Sequence, residues 1–515
     1  MTPRFLVLLP VSVLMMLPAA ACDRFTGRGL AVSRNPDGKL LIDASSLNQV
    51  MSADGMFLPD PAPDISPMKP DIEARFHPQW FGIERLETIP GRPRRAFRIF
   101  TNSQGFRTRE FRLKKPLEVF RVVLLGDSTA YGIPVEPDET FAVVLEAELL
   151  RRHPYRQIEV INLGIPGYLL NRIEDLYQGL SDLESDIVMI ASAFNDLGVK
   201  PLEMRSHLPD LSVTPAHLWR VRLPGASTAD MKLAPAGNLD SVFDGTFRRF
   251  GPWRWAPFTS RAEYAELMAR LVDLVRQRGA LPVFIDGEFS RRYYRPVRER
   301  MAHELDVPVF PAADLLVNQE IELSSQRDPV ASVCPYAPSV PASEQAKLRM
   351  RVMAPPGLKG GKGFRLAIQR LGMDTFKSVQ QAPWLVPPYS MRDDGRAGDD
   401  QAGDGIFSLM LDVPVGETLR FFFIREEAVP RFWPVTLHED WTARFFHTFP
   451  ADLSRYRRSC DPEDVYTSPV YVYGYWDLMS EPVHPNAAGH RVIGLGLADY
   501  LEQIPEVRAR LENPE

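Results

Sequence analysis

The segment Val122-Val123-Leu124-Leu125-Gly126-Asp127-Ser128-Thr129 decides how the chain folds. Its apolar run is unbroken, which fits a strand covered on both faces rather than one with a wet side. Glycine then stops the run, and a tight strand-to-helix turn there can expose the hydroxyl of Ser128. Comparable apolar runs occupy 158–163, 187–191, 283–285 and 307–310. Helical patterns lie between them. Phe141, Val144, Leu145 and Leu149 share one helical face, and Tyr264, Leu267, Met268, Leu271 and Val275 share another. The second helix opens with a capping box, Ser260 and Glu263, and stops at Gly279. Buried strands alternating with helices predict a parallel sheet in a three-layer α/β/α sandwich.

Beyond 335 the period changes from helical to two. Leu348, Met350 and Val352 alternate with Arg349 and Arg351, and Phe407, Leu409, Leu411 and Val413 repeat the pattern. With the apolar run at 419–424, this predicts a small antiparallel β-sandwich inserted at 335–430. Cys334 and Cys460 flank it. In an oxidising compartment they suggest a disulfide at the neck of the insertion, two unpaired thiols being the alternative. Residues 393–405 hold five aspartates among glycines. Calcium takes oxygen ligands, but the spacing is not that of an EF-hand and these residues are ordinary in tight turns, so the turn is the preferred reading. No other run has metal-ligand spacing, and no cofactor is expected.

The amino terminus carries Arg4, an apolar run over 5–17, and then Pro18-Ala19-Ala20-Ala21-Cys22. That is the three-part form of a secretory signal peptide, assigned to 1–21. The run is shorter than the roughly 20 residues that span a bilayer. The Cys22 context resembles a bacterial lipobox, which implies lipidation of Cys22 and a membrane-anchored, periplasmic or cell-surface protein. Cleavage by ordinary signal peptidase is the alternative. Residues 22–115 form an amino-terminal extension, with 30–80 expected to hold little regular structure because of its proline content. A formal net charge of −6 leaves no electrostatic footprint for nucleic acid. A peptide backbone or a neutral glycan fits as a partner as well as anything charged does.

Four blocks carry the chemistry. They are Gly126-Asp127-Ser128-Thr129, Asn162-Leu163-Gly164-Ile165-Pro166-Gly167, Phe194-Asn195-Asp196, and Glu481-Pro482-Val483-His484-Pro485-Asn486. Three follow successive strands, at the sheet edge where open parallel sheets bind ligands. The fourth precedes the last helix. Acyl transfer needs a serine hydroxyl, a base to take its proton, a group that orients the base, and donors for the oxyanion. The blocks offer each part.

In order and content they resemble those of the SGNH (GDSL-type) hydrolases. The resemblance covers about 116–330 and 430–505. It implies a hydrolase domain split into 116–334 and 431–508. In it Ser128 is the nucleophile and His484 the base, while the N–H groups of Ser128 and Gly164 and the amide of Asn195 bind the oxyanion. The family usually has aspartate three residues before the histidine. Here Glu481 stands there, with Asp477 as the reserve acid and a backbone carbonyl as a third possibility. The α/β-hydrolase elbow Gly-x-Ser-x-Gly does not occur around Ser128. Asn102-Ser103-Gln104-Gly105-Phe106-Arg107 resembles a segment found upstream of the core in exported members, read as packing against the core, with a substrate contact from Arg107 as the alternative. The remaining histidines, such as His153, His303 and His438, are scattered and read as surface or structural. The implied activity is hydrolysis of an O-acyl ester, O-acetyl above all, on an envelope or extracellular glycan. O-acyl transfer and a non-catalytic glycan-binding or assembly lipoprotein are the rivals.

Overall fold

A computed structural model describes residues 97–192, 195–197, 199–201, 255–257, 259–287, 294–336, 345–354, 363–371, 389–396, 398–414, 418–425, 448–449, 456, 458–462, 465–473, 477–480 and 484–512, with short strands upstream at 31–34, 40–44 and 72–76. The signal segment, Cys22, Phe194, Glu481 and His438 lie outside the described residues. Among the described residues no helix is long and apolar enough to cross a membrane.

The upstream strands β1 (Ala31–Arg34), β2 (Leu40–Ala44) and β3 (Ile72–Phe76) join β4 (Phe97–Phe100) in a four-stranded sheet. Much of 30–80 was expected to be irregular, so this sheet is a correction. The prolines sit between the strands, and Leu40-Leu41-Ile42 and Ile72 supply apolar residues that the proline count obscured.

The central sheet is built from β5 (Val119–Gly126), β6 (Gln157–Asn162), β7 (Ile187–Ala191), β10 (Leu281–Ile285) and β11 (Val309–Phe310), all parallel, in the order β11-β10-β7-β5-β6. Within this sheet the chain runs from β5 to β6 on one side, then returns to β7 on the other. The strand order therefore reverses around β5, the topology in which open α/β sheets bind ligands beyond the carboxyl ends of the strands. A small pair, β8 (Val199–Pro201) with β9 (Trp255–Pro257), follows β7.

Side chains of β5 alternate between two cores. Val123 and Leu125 face α3 (Leu170–Gly179), α4 (Arg261–Gln277) and α5 (Arg295–Glu304). Val122 and Leu124 face α2 (Phe141–Arg152), α6 (Ala312–Arg327), α7 (Ala487–Gln503) and α8 (Pro505–Glu512). This is the three-layer arrangement expected from the unbroken apolar run. Each such fully buried side chain contributes roughly 1.5–3 kcal/mol. The Ser260–Glu263 capping box forms at the start of α4, and Gly279, just past its end, takes a positive φ of 78°.

Two further sheets share one core. One holds β12 (Gln345–Met353), β15 (Ile406–Pro414) and β18 (Val465–Val472), in the order β15-β12-β18. The other holds β13 (Phe364–Leu371), β14 (Tyr389–Ser390), β16 (Thr418–Arg425) and β17 (Thr448–Phe449). Phe364 and Phe423 from the second sheet pack with Met350, Val352, Tyr466 and Tyr471 of the first. Two expectations change here. β18 lies beyond 430, so the unit reaches further along the chain than 335–430. β12 and β18 run parallel, so the first sheet is mixed. Strand β18 was missed because its interior, Thr467-Ser468-Pro469, interrupts the apolar pattern, although all three are buried.

Cys334 and Cys460 are joined in a disulfide with Cα atoms 5.4 Å apart. Beside it Arg351 of β12 forms a buried ion pair with Asp328, which follows α6, and also donates to Ser468 O of β18. In the chain-entropy account, a crosslink spanning 126 positions contributes about 5 kcal/mol. Replacing both cysteines by serine is expected to lower the unfolding free energy by up to about that amount. Thermal denaturation without reductant measures it. An unchanged midpoint would show that the crosslink does not constrain the unfolded chain.

Candidate active site

The turn after β5 is shaped by close approach. A Cβ on Gly126 would lie 2.4 Å from Ala191 O and 2.5 Å from the Ala130 side chain. Only glycine lets β5 run so tightly beside β7 and turn at once into α1 (Ser128–Tyr131). Asp127 caps this single turn, its side chain accepting Thr129 N–H at 2.9 Å. A Cβ on Gly164 would lie 2.5 Å from Tyr131 N, so the loop after β6 presses directly on α1. Asn162 binds both pieces, donating from Nδ2 to Ala130 O at 2.8 Å and accepting Gly164 N–H at 2.9 Å.

Ser128 Oγ lies 2.7 Å from His484 Nε2, with the two residues 9% and 6% exposed. His484 is held by a loop with many backbone bonds. Ser480 N–H donates to His484 O at 2.9 Å. Asn486 donates from Nδ2 to Asp477 O at 2.8 Å, while its Oδ1 caps α7 by accepting Gly489 N–H at 3.0 Å. From α6 the buried Glu320 carboxylate accepts N–H groups from Asp477 at 2.8 Å and Leu478 at 3.0 Å. Burial, then the nearby Asp477, pushes the Glu320 carboxyl up to about 7.

The reserve acid is paired with an arginine. Both carboxylate oxygens of Asp477 meet Arg327 Nη1, at 2.6 and 2.5 Å. Of the three expected oxyanion donors, Ser128 N–H, in the first turn of α1, has no acceptor among the described residues. Gly164 N–H donates to Asn162 Oδ1, and Asn195 Nδ2 donates to Tyr168 O at 3.1 Å.

Besides Glu320, two buried groups were given no role in the sequence reading. Asp196 pegs the third block to its surroundings, accepting Leu170 N–H at 3.1 Å, Thr259 Oγ1–H at 2.6 Å and Ser192 Oγ–H at 3.2 Å. Burial pushes its carboxyl up to about 6. His490, on α7, stacks on Phe141 and accepts Phe141 N–H at Nδ1, 3.2 Å away, which leaves the proton on Nε2. Burial, then Arg107 and His484, lowers its imidazole to about 3. A helical position facing α2 was the available signal for His490. Two partners of Asp196, Leu170 and Thr259, come from separate segments that spacing does not connect to it.

In the 393–405 loop, carboxylate oxygens of Asp393, Asp399 and Asp404 converge within 4.8 Å. Asp393 accepts N–H groups from Gly403 and Gly405, Asp399 from Gly395, and Asp404 from Ile406, which is tight-turn bonding.

No protein-family model matches the chain, and no curated protein matches it. Similar solved structures exist. LAE5, an alpha/beta hydrolase enzyme from the metagenome of Lake Arreo, is 14% identical over 38% of this chain and 78% of its own, with a TM-score of 0.25. A member of the lipolytic protein G-D-S-L family from Veillonella parvula is 9% identical over 40% and 82%, with a TM-score of 0.23. Axe2, an acetylxylan esterase from Geobacillus stearothermophilus, is 13% identical over 38% and 77%, with a TM-score of 0.23.

A histidine lowered in the fold is protonated first in the unfolded chain, so stability falls as pH drops from about 6.5 towards 3. His490→Asn keeps an acceptor for Phe141 N–H and does not titrate. It is expected to remove a slope of about 1.4 kcal/mol per pH unit in that window. Denaturant unfolding at stepped pH measures this, and equal slopes in both proteins would contradict it.

Proposed function

We propose that this chain is an SGNH-type serine esterase that hydrolyses an O-acyl ester, O-acetyl above all, on an envelope or extracellular glycan. The observation that carries the proposal is the 2.7 Å contact between Ser128 Oγ and His484 Nε2 at the carboxyl edge of a parallel sheet. A serine becomes a nucleophile when such a base removes its proton. In this reading His484 takes the Ser128 proton as Oγ attacks the ester carbonyl. The carbonyl oxygen becomes an oxyanion held by Ser128 N–H and the second N–H of the Asn195 amide; Gly164 N–H, expected as a third donor, is engaged by Asn162 Oδ1 and would have to exchange that bond to join them. Collapse expels the sugar oxygen, which takes the proton from His484, and leaves acyl-Ser128. Water, deprotonated by His484, then releases the acid and restores the serine.

Glu481 is the proposed partner that orients His484. Its proximity in sequence supports this, as does the engagement of Asp477 with Arg327. The signal-peptide pattern supports export, and Cys22 supports a lipid anchor. The two-sheet unit, taken as an inserted β-sandwich, suits a polymeric substrate that reaches beyond the ester.

A fluorophosphonate probe is expected to label the wild-type protein at Ser128 and to leave Ser128→Ala unlabelled. Ester turnover should fall about a thousandfold or more in Ser128→Ala. Equal labelling of the two proteins would overturn the proposal. Glu481→Gln is expected to lower kcat about a hundredfold or more, while Asp477→Asn stays within several-fold of wild type. The reverse pattern would move the acid role to Asp477.

A further inference from the structure

We infer that Arg107 is a positioning residue for Ser128, holding the nucleophile turn from its far end; this rests on Ser128 being the nucleophile. The turn α1 has only four residues, too few to be stable by itself. Its last carbonyls lack intrahelical donors and need partners. Arg107 supplies them. Its Nη1 donates to Tyr131 O at 3.0 Å and Gly132 O at 2.6 Å. Its Nη2 donates to Val135 O at 2.6 Å, in the loop that follows, and to Arg98 O of β4 at 2.9 Å. The guanidinium also lies over the Tyr131 ring, 5.0 Å from its centre. A cation at the carboxyl end of a helix is favourably placed against its dipole.

These four acceptors use every terminal N–H of the guanidinium. The Nε–H has no hydrogen-bond partner among the described residues, and the residue is only 4% exposed. The four carbonyl contacts and the burial favour a brace over the substrate contact considered from the sequence. The segment carrying Arg107 is itself fixed. Asn102 Oδ1 accepts N–H groups from Gln104 at 3.0 Å and Phe106 at 2.9 Å, Gly105 turns with a φ of 84°, and Phe106 is buried in the core. The bracing thus runs from a core-anchored loop, through one planar fork, to both sides of Gly132. Lysine offers a point charge with flexible donors and does not reproduce a planar fork that serves two segments. Displacing Ser128 relative to His484 should cost reaction rate rather than substrate binding.

The test compares full-length wild type, Arg107→Lys, Arg107→Ala and Leu271→Ala, the last a core change in α4 used as a stability control. The measurements are the rate of fluorophosphonate labelling and kcat and KM for p-nitrophenyl acetate. Both Arg107 variants are expected to label about tenfold to a hundredfold more slowly, with kcat falling in step and KM held within about twofold. Millimolar guanidinium is expected to restore part of the rate in Arg107→Ala and none in Leu271→Ala. Arg107→Lys keeps the charge and stem, so it carries the comparison if Arg107→Ala does not fold. Labelling of the Arg107 variants at the wild-type rate would overturn the inference alone. A loss reproduced by Leu271→Ala and untouched by guanidinium would do the same. A wild-type protein that does not label at Ser128 would overturn the hydrolase reading, and this inference with it.

Discussion

One contact makes demands on nearly the whole chain. Ser128 Oγ and His484 Nε2 meet at 2.7 Å although 356 positions separate them. The serine side is set early and locally, by glycines that allow close approach and by an aspartate cap. The histidine side arrives after a two-sheet unit and has to be returned to the same sheet edge. Helix α6 does much of this. Glu320 near its middle holds the backbone of the loop that leads to His484, Arg327 near its end holds Asp477, and Asp328 just beyond it pairs with Arg351 of β12. Breaking a buried ion pair such as the last costs about 3–5 kcal/mol, because one charge is left without a partner.

The parts legible in the sequence were those that local pattern dictates. Buried parallel strands need apolar residues on both faces, so β5, β6, β7 and β10 stood out as runs. The cap of α4 could be read because Ser260 and Glu263 satisfy each other within one turn. The order of the four blocks pointed to Ser128 and His484 because each block sits next to an element with a clear period. What stayed hidden depends on distant partners. Asp196, Glu320 and His490 are buried polar groups whose meaning comes from N–H groups and hydroxyls on other segments. Arg107 was noticed, but its four carbonyl acceptors could not be read from spacing. The upstream strands and β18 were obscured by prolines and by small polar residues that the fold nonetheless buries.

The loop around 393–405 illustrates the same limit from the other side. Five aspartates invite an ionic explanation; the carboxylates of Asp393, Asp399 and Asp404 converge within 4.8 Å and also accept backbone N–H groups from Gly395, Gly403, Gly405 and Ile406. Composition gives the chemistry available. Only the path of the backbone decides which partner receives it.

The parallel pairing of β12 with β18 bears on how such a chain can be recombined. β18 has β12 as its neighbour in the sheet, and the residues just after β18 lead into the His484 loop. The two-sheet unit is therefore not a cassette that could be lifted out at its first and last turns. Removing 345–425 would strip β18 of its neighbour, expose the buried rings of Tyr466 and Tyr471, and leave a raw strand edge open to pairing with other chains. A viable shorter relative would have to lose β18 as well and lead from α6 to the histidine by a new path. The two-sheet unit and the loop that carries His484 are in that sense a single structural part.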